Sequence, residues 1–318
     1  MTINCPLRFG ILGNAEIFRR RFLPALGPSS VARMALVGSR HRNQPHDFPV
    51  ASYEEVVKAP EIDIVYIPLP NHLHEEWTSR ALRAGKHVIC EKPLGLDLAA
   101  VQRMLAIARA EGRLLYENIM YLHHPQHRQI REMVRSGTIG TIRQLHASFC
   151  FTHTRNDDFR LDPLAGGGSF QDQARYPLTA ALYHLTGNLS TFQGVARFRN
   201  GLDMAVVGSA ISSADELFTF TIAFDQPYEA YYEIIGEKGR IRLDRAYTTP
   251  ADMVNEIRIA TGLDQETRPV AAADHFQLMI EYVCGLIATG QFEQEHRQIE
   301  QRAVLAEEMR KGCIGSKS

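Results

Sequence analysis

Three short segments of the 318-residue chain carry residue types that chemistry could use. Glu91-Lys92-Pro93 follows the apolar run His87 to Cys90 directly. If that run is a buried parallel strand, Lys92 emerges at the carboxyl edge of a sheet, where open α/β folds bind ligands, and Pro93 fixes the turn. A surface lysine would read the same way, and position alone favours the functional one. Gly166-Gly167-Gly168-Ser169 leads into Asp172 and Tyr176, four apart and expected on one face of a helix. Taken alone, such a pair is more often a cap or a solvated arrangement than a catalytic one. Gly10-Ile11-Leu12-Gly13-Asn14-Ala15-Glu16-Ile17-Phe18 closes the first strand and opens a helix, where backbone N–H groups suit a pyrophosphate. Against G-x-G-x-x-G it places Gly13, Ala15 and Phe18, a degraded match whose last member is bulky where close helix-to-sheet packing prefers a small residue.

After the expected second strand stands Gly38-Ser39-Arg40-His41-Arg42. An acidic residue here would take a ribose 2′-hydroxyl and repel a 2′-phosphate, whereas a hydroxyl and a guanidinium bind the phosphate. NADP is therefore the expected cofactor, with NAD possible; a solvated basic loop is the other reading. His123, His124 and His127 invite a metal, but no carboxylate stands at ligand spacing and Pro125 interrupts them. They are read as structural or as the edge of a substrate site, with no metal. Trp77 is read as core.

The elements that must position these residues follow from periodicity. Leu7 to Gly13, Met34 to Gly38, Asp63 to Leu69, His87 to Cys90 and Leu114 to Glu117 are short apolar runs of the buried parallel type. Helical stripes from His74 to Ala84 and from Leu98 to Ala108 lie between them, ended by Gly85 and Gly112. Strand and helix in alternation predict a doubly wound Rossmann domain over residues 1–120. From about residue 141 the period becomes two, as in Leu145, Ala147, Phe149 and Phe151, again in Phe218, Phe220, Ile222 and Phe224, and from Glu229 to Asp244 through Gly236 to Gly239. Asn200-Gly201 signals a hairpin. Residues 121–318 are thus expected as an α+β domain with a mostly antiparallel open sheet, a helix from Asp274 to Thr289, and a last exposed helix after Gln291 that could pack back on the first domain. An open sheet face is a large apolar patch for a monomer, so a homodimer or homotetramer through it is expected.

Composition excludes other classes. Lys plus Arg number 35 against 36 Asp plus Glu, a formal charge of -1, and no field of that size holds a nucleic acid. The five cysteines Cys5, Cys90, Cys150, Cys284 and Cys313 show no CxxC spacing and are read as free thiols of a reducing compartment. The chain reaches charge at Arg8 before any signal-length apolar run, and nothing approaches the roughly 18 apolar residues of a membrane span. A cytoplasmic location is expected.

Together, the Gly13-x-Ala15 turn, Pro68-Leu69-Pro70-Asn71 followed by His74, the Glu91-Lys92-Pro93 triplet and the triple glycine leading to Asp172 and Tyr176 resemble the glucose-fructose oxidoreductase/inositol dehydrogenase/rhizopine catabolism (Gfo/Idh/MocA) family over nearly the whole chain. Within it, the stretch Glu117 to His127 and the tyrosine at 176 are most similar to NADPH-dependent nucleotide-sugar 3-ketoreductases of deoxysugar biosynthesis. The resemblance implies cofactor contacts at Gly13, Asn14, Ala15, Glu16, Ile17, Ser39, Arg40, Pro68, Leu69, Asn71, His74, Glu91, Lys92 and Asn118. It also implies Lys92 and Tyr176 at a carbonyl with Asp172 in support. Chemistry agrees, since ketone reduction delivers hydride to carbon while a positioned acid protonates the oxygen, and an ammonium such as Lys92 favours the phenolate left behind. Asp172 would orient the lysine or a sugar hydroxyl. The segment Arg42 to Ser52 is shorter than that of the family, which carries an extra helix there. Two rivals remain open: a dehydrogenase of a cyclitol, free sugar or dihydrodiol, and a dinucleotide-sensing regulatory protein, which the presence of Lys92 argues against.

Overall fold

The computed structural model of the chain describes residues 6–40, 48–153 and 158–315. Cys5, His41, Arg42 and Arg155, and with them most of the shortened 42–52 segment, lie outside the described residues. The chain forms two compact units, the first made of residues up to Met120 with Phe276–Ala303, the second of Tyr121–His275 with the residues from Val304 on.

The first unit begins with β1 (Leu7–Leu12), whose closing glycine turn leads through a π-helical turn at Phe18–Phe22 into α1 (Leu23–Leu26). There follow β2 (Ala32–Gly38), the short β3 (Val50–Ala51), α2 (Tyr53–Lys58), β4 (Ile64–Ile67), α3 (His74–Arg83), β5 (His87–Cys90), α4 (Leu98–Ala110) and β6 (Leu115–Glu117). All pairings are parallel and the order is β3-β2-β1-β4-β5-β6. Chain order reverses between β1 and β4, the switch point at which doubly wound sheets open a ligand crevice. Helices on both faces bury β4 and β5 completely, which is why these strands read as unbroken apolar runs. Phe18 is buried and meets Phe48 edge-on, so the bulky residue at the third fingerprint place is accommodated by the wider helical turn it begins. The start of α2 went unread in the sequence, although Ser52 and Glu55 form a capping box there, with Ser52 Oγ accepting from Glu55 N and Glu55 Oε2 from Ser52 N.

The second unit holds α5 (Pro125–Arg135), β7 (Ile142–Cys150), α6 (Ser169–Gln173), α7 (Arg175–His184) and the strands β8 (Leu189–Arg199), β9 (Leu202–Ser212), β10 (Leu217–Ala223), β11 (Glu229–Gly236), β12 (Gly239–Leu243), β13 (Asn255–Thr261) and β14 (Asp264–Val270). They form one eight-stranded sheet, order β14-β13-β12-β11-β7-β10-β9-β8, antiparallel except where β10 pairs with β7. One face is core, carried by Leu145, Ala147, Phe218, Phe220, Ile222, Tyr232 and Ile234. The other face carries Gln144, His146, Thr219, Tyr231 and Glu233, with the cross-strand partners Val195 and Val207 largely exposed. Asn200 and Gly201 both take positive φ, 51° and 77°, as the tightest hairpin turn requires.

The chain closes with α8 (His275–Thr289) and α9 (Glu293–Ile314). Two expectations need correction here. The boundary at 120 misses that Phe276–Ala303 belong to the first unit, where Phe276, Met279, Ile280 and Val283 pack against Phe9, Ile11, Tyr66 and Ile89. The last helix is not an exposed one, because Ile299, Arg302, Met309 and Cys313 are all buried. Its charged composition conceals this, since two of its charges, Glu295 and Arg302, neutralise one another inside the protein.

Candidate active site

In a parallel sheet every strand ends at the same edge, and here that edge gathers the predicted cofactor residues. Gly13, Asn14 and Ala15 follow β1, Ser39 and Arg40 follow β2, Pro68, Leu69 and Asn71 follow β4, Glu91 and Lys92 follow β5, and Asn118 follows β6. Gly13 has φ +103°, and a Cβ built there would stand 2.9 Å from Leu69 Cδ2, so only glycine lets the turn approach the loop after β4. The Oδ1 atoms of Asn14 and Asn118 are buried with no hydrogen-bond partner among the described residues, as in a site shaped for a further donor. Burial pushes the Tyr53 hydroxyl up while the exposed Arg40 guanidinium beside it draws it down, and Ser39 N is held by Ala51 O at 2.9 Å. These features fit a dinucleotide: a cradle without Cβ, orphaned polar atoms beside it and a cation past the second strand.

Three of the predicted contacts take a different form. Glu16 is exposed and paired with Arg20 one turn on at 2.9 Å, a solvent-facing ion pair. Ile17 is a half-buried residue packed against the apolar core. His74 is fully buried, with Nδ1 2.8 Å from Pro93 O and Nε2 2.7 Å from Leu69 O. A neutral ring has one N–H, so it donates to one of these carbonyls while its other nitrogen faces the second, and the ring lies between the loop after β4 and the loop after β5. Burial holds its pKa down, while the two carbonyls pull it up. Trp77 is half-buried, edge-on to Tyr53, in keeping with a core role.

The segment bearing Lys92 is gripped on both sides. Glu91 Oε1 accepts from Tyr66 Oη and from Asn118 Nδ2, each at 2.6 Å. Burial pushes the Glu91 carboxyl up, against those two hydrogen bonds and the Lys92 ammonium, which draw it down. Beyond Lys92, the Pro93 carbonyl is taken by His74 and the Leu94 amide donates to Glu117 Oε1 at 3.2 Å. Lys92 is thus the single residue between two anchored points.

Lys92 belongs to the first unit and Tyr176 to the second. Asp172 and Tyr176 sit not on one regular helix but on α6 and α7, which meet at Ala174. The break has a covalent cause, since Pro177 has no N–H to donate to the carbonyl of Gln173. α6 is set by Asp203, whose Oδ2 accepts from Phe170 N at 2.6 Å and Ser169 Oγ at 2.8 Å. Asp172 Oδ1 accepts from Arg160 Nε at 3.1 Å, and Arg160 also pairs with Asp158. Within this unit Asp172 thus has a guanidinium partner, whose planar fork suits a carboxylate. Tyr176 is buried with its ring against Phe149 at 4.6 Å, Tyr247 at 5.2 Å and Tyr121 at 5.8 Å, and its carbonyl accepts from the Tyr121 hydroxyl. Of these aromatics, periodicity marked only Phe149, as part of an alternating strand.

The histidines form a buried network around Tyr232, whose hydroxyl lies 2.9 Å from His127 Nδ1 and 3.0 Å from His184 Nε2. His124 caps α5 by accepting from Gln126 N. Burial pushes His184 down to about 3 and His123 and His124 to about 4. An unfolded imidazole titrates near 6.5, so below that pH the unfolded chain takes up protons the fold refuses, and stability falls on acidification until the folded pKa is reached. For the fully buried His184 this is about 2 kcal/mol at pH 5. Urea unfolding should show a lower midpoint at pH 5 than at pH 7; equal midpoints would mean that the imidazoles protonate within the fold.

Residues 7–119 match the domain described as the oxidoreductase family, NAD-binding Rossmann fold (GFO_IDH_MocA), and residues 127–242 match the GFO/IDH/MocA C-terminal domain. The dTDP-3,4-didehydro-2,6-dideoxy-alpha-D-glucose 3-reductase of Actinomadura kijaniata is 35% identical over 318 residues, covering 97% of this chain and 96% of that protein. A protein of the same name from Streptomyces violaceoruber is 36% identical over 280 residues, with 84% of this chain and 81% of that one covered. A 3-ketoreductase from Actinomadura kijaniata, solved in complex with NADP and TDP-benzene, superposes with a TM-score of 0.92 at 32% identity, covering 96% of this chain and 98% of that chain. That protein has also been solved with a lysine replaced by alanine and with a tyrosine replaced by phenylalanine. With a doubly wound sheet, an open and mostly antiparallel one, and relatives matched along nearly its full length, the chain belongs to the Gfo/Idh/MocA oxidoreductase family.

Proposed function

We propose that the protein reduces a nucleotide-linked 3-keto (deoxy)hexose with NADPH. The observation that carries this reading is the edge of the first sheet, where the Gly13 cradle, Arg40 and the doubly anchored Lys92 follow the ends of β1, β2 and β5. Similarity to several dTDP-ketosugar 3-reductases and to a ketoreductase solved with NADP supports both the substrate class and the cofactor. Bound NADPH supplies the hydride that reaches the carbonyl carbon. Lys92 draws electron density toward the carbonyl oxygen, and Tyr176 Oη gives that oxygen its proton, leaving an alcohol and a tyrosinate that is reprotonated from solvent. Asp172, with Arg160 on one oxygen, orients a substrate hydroxyl. Gly13 lets the backbone amides of the turn approach the pyrophosphate, and Arg40 meets the 2′-phosphate.

Purified protein mixed with NADPH and dTDP-3,4-didehydro-2,6-dideoxy-glucose should consume nicotinamide absorbance and yield the 3-hydroxy sugar. Inertness toward that compound with turnover of NADP and a free polyol would replace this reading by the dehydrogenase one. Arg40→Ala should weaken NADPH about 10- to 100-fold, the worth of a charge-assisted hydrogen bond, while leaving NADH nearly unchanged. Equal weakening of both, measured by fluorescence titration, would take Arg40 away from the phosphate. We also read the open face of the second sheet, with Val195 and Val207 exposed on it, as the surface on which copies of the chain associate into a dimer or tetramer. No helix among the described residues is long and apolar enough to cross a membrane, and the reading places the enzyme with its cofactor in the cytoplasm.

A further inference from the structure

We infer that Arg302, on the closing helix, is a positioning residue for Lys92, acting through Glu117; the inference rests on the proposed role of Lys92 at the carbonyl. Glu117 is almost wholly buried at the end of β6 and divides its two oxygens. Oε1 takes the Leu94 amide at 3.2 Å, and Oε2 takes Arg302 Nε at 2.9 Å. The second arm of the guanidinium reaches Glu295 Oε1 at 3.1 Å. The same helix meets β6 again where His296 Nε2 accepts from Leu115 N at 3.2 Å.

The peptide that follows Lys92-Pro93 is consequently held by side chains at both of its polar ends, its carbonyl by His74 and its N–H by Glu117. Holding α9 in place does not need charges. Buried ion triads are costly to desolvate, and well-packed apolar residues of like volume often serve stability as well or better. What an apolar set cannot do is grip a backbone amide from a fixed direction. An ionised carboxylate does so strongly, and in a dry site a neighbouring cation favours that ionised form. Arg302 is that cation, and its fork fixes Glu117 in the orientation that leaves Oε1 on Leu94. A loosened Leu94 amide lets the Lys92 segment drift, and misplacement of a reacting group by about 1 Å can cost up to 10²-fold in rate.

The test is a double-mutant cycle with NADPH and dTDP-3,4-didehydro-2,6-dideoxy-glucose, using Glu117→Gln, which keeps the shape and an acceptor oxygen but loses the charge, and Arg302→Lys, which keeps the charge but not the fork. Each should lower kcat about 10- to 100-fold with NADPH affinity within about twofold of the parent, and in the Lys92→Ala background each should change turnover by less than about twofold. A loss of the same size in both backgrounds, or full turnover in a folded variant, overturns the inference and leaves the proposed function standing. Unimpaired turnover of Lys92→Ala alone removes the role of Lys92 and the inference with it. Should Glu117→Gln fail to fold, Arg302→Lys completes the same cycle.

Discussion

Replacing Tyr176 by phenylalanine is expected to lower kcat about 10²- to 10⁴-fold, some 2.7 to 5.5 kcal/mol of transition-state stabilisation, while NADPH affinity stays nearly unchanged. The ring is packed among Phe149, Tyr247 and Tyr121, and phenylalanine fills the same volume, so the fold should keep its stability within about 1 kcal/mol. Only the proton donor disappears. The loss should fall on kcat and kcat/KM alike, since a proton transferred in the transition state contributes little to ground-state binding. Steady-state turnover with a nucleotide-linked ketosugar and a parallel fluorescence titration of NADPH separate the effects. Turnover at the parental rate would remove Tyr176 as the acid, and a matching loss of cofactor affinity would point to a packing fault instead.

Lys92→Ala should cost about 10² to 10³ in kcat, the scale of deleting one preorganised electrostatic donor from a water-poor site. Lys92→Arg is not expected to restore the rate, because a planar guanidinium places its donors differently from a compact ammonium, and the flanking grips on Glu91, Pro93 and Leu94 leave the backbone little room to compensate. NADPH should still bind, through the Gly13 turn and Arg40, which stand at other strand ends. Single-turnover kinetics at saturating NADPH give the number; a change of less than about twofold would show that the carbonyl is polarised by another group.

How much of this was legible depended on distance along the chain. Most strands of the first unit could be read because they form short apolar runs, buried throughout in β4, β5 and β6, and His87 to Cys90 even kept its predicted limits. The hairpin at Asn200-Gly201 was legible because its backbone angles favour those two residues. Lys92 could be placed at a sheet edge because strand and lysine are adjacent. What stayed hidden were partnerships between distant segments. Nothing in the spacing of Arg302 and Glu117, 185 residues apart, announces a buried pair, and a helix rich in Glu and Arg reads as exposed until its ions are seen to satisfy each other. His74 could be located beside the loop after β4, but its packing between the Leu69 and Pro93 carbonyls, the second of them 19 residues away, could not be read. Asp172 likewise gave no sign in its spacing that Arg160, twelve residues earlier, pairs with it.

The place of β7 in the second sheet bears on how the chain reaches its native state. Its neighbours are β10 on one side and β11 on the other, and its contact between Gln144 and Thr219 joins residues 75 apart. The β8–β9, β11–β12 and β13–β14 hairpins can each zip up locally, whereas β7 must wait for them to assemble, since loop-closure entropy is lost before a non-local pairing returns anything. Until then both edges of β7 carry unpaired backbone N–H and C=O groups beside the apolar Leu145, Ala147 and Phe149, and that interval is when two nascent chains in one cell are most prone to pair with each other.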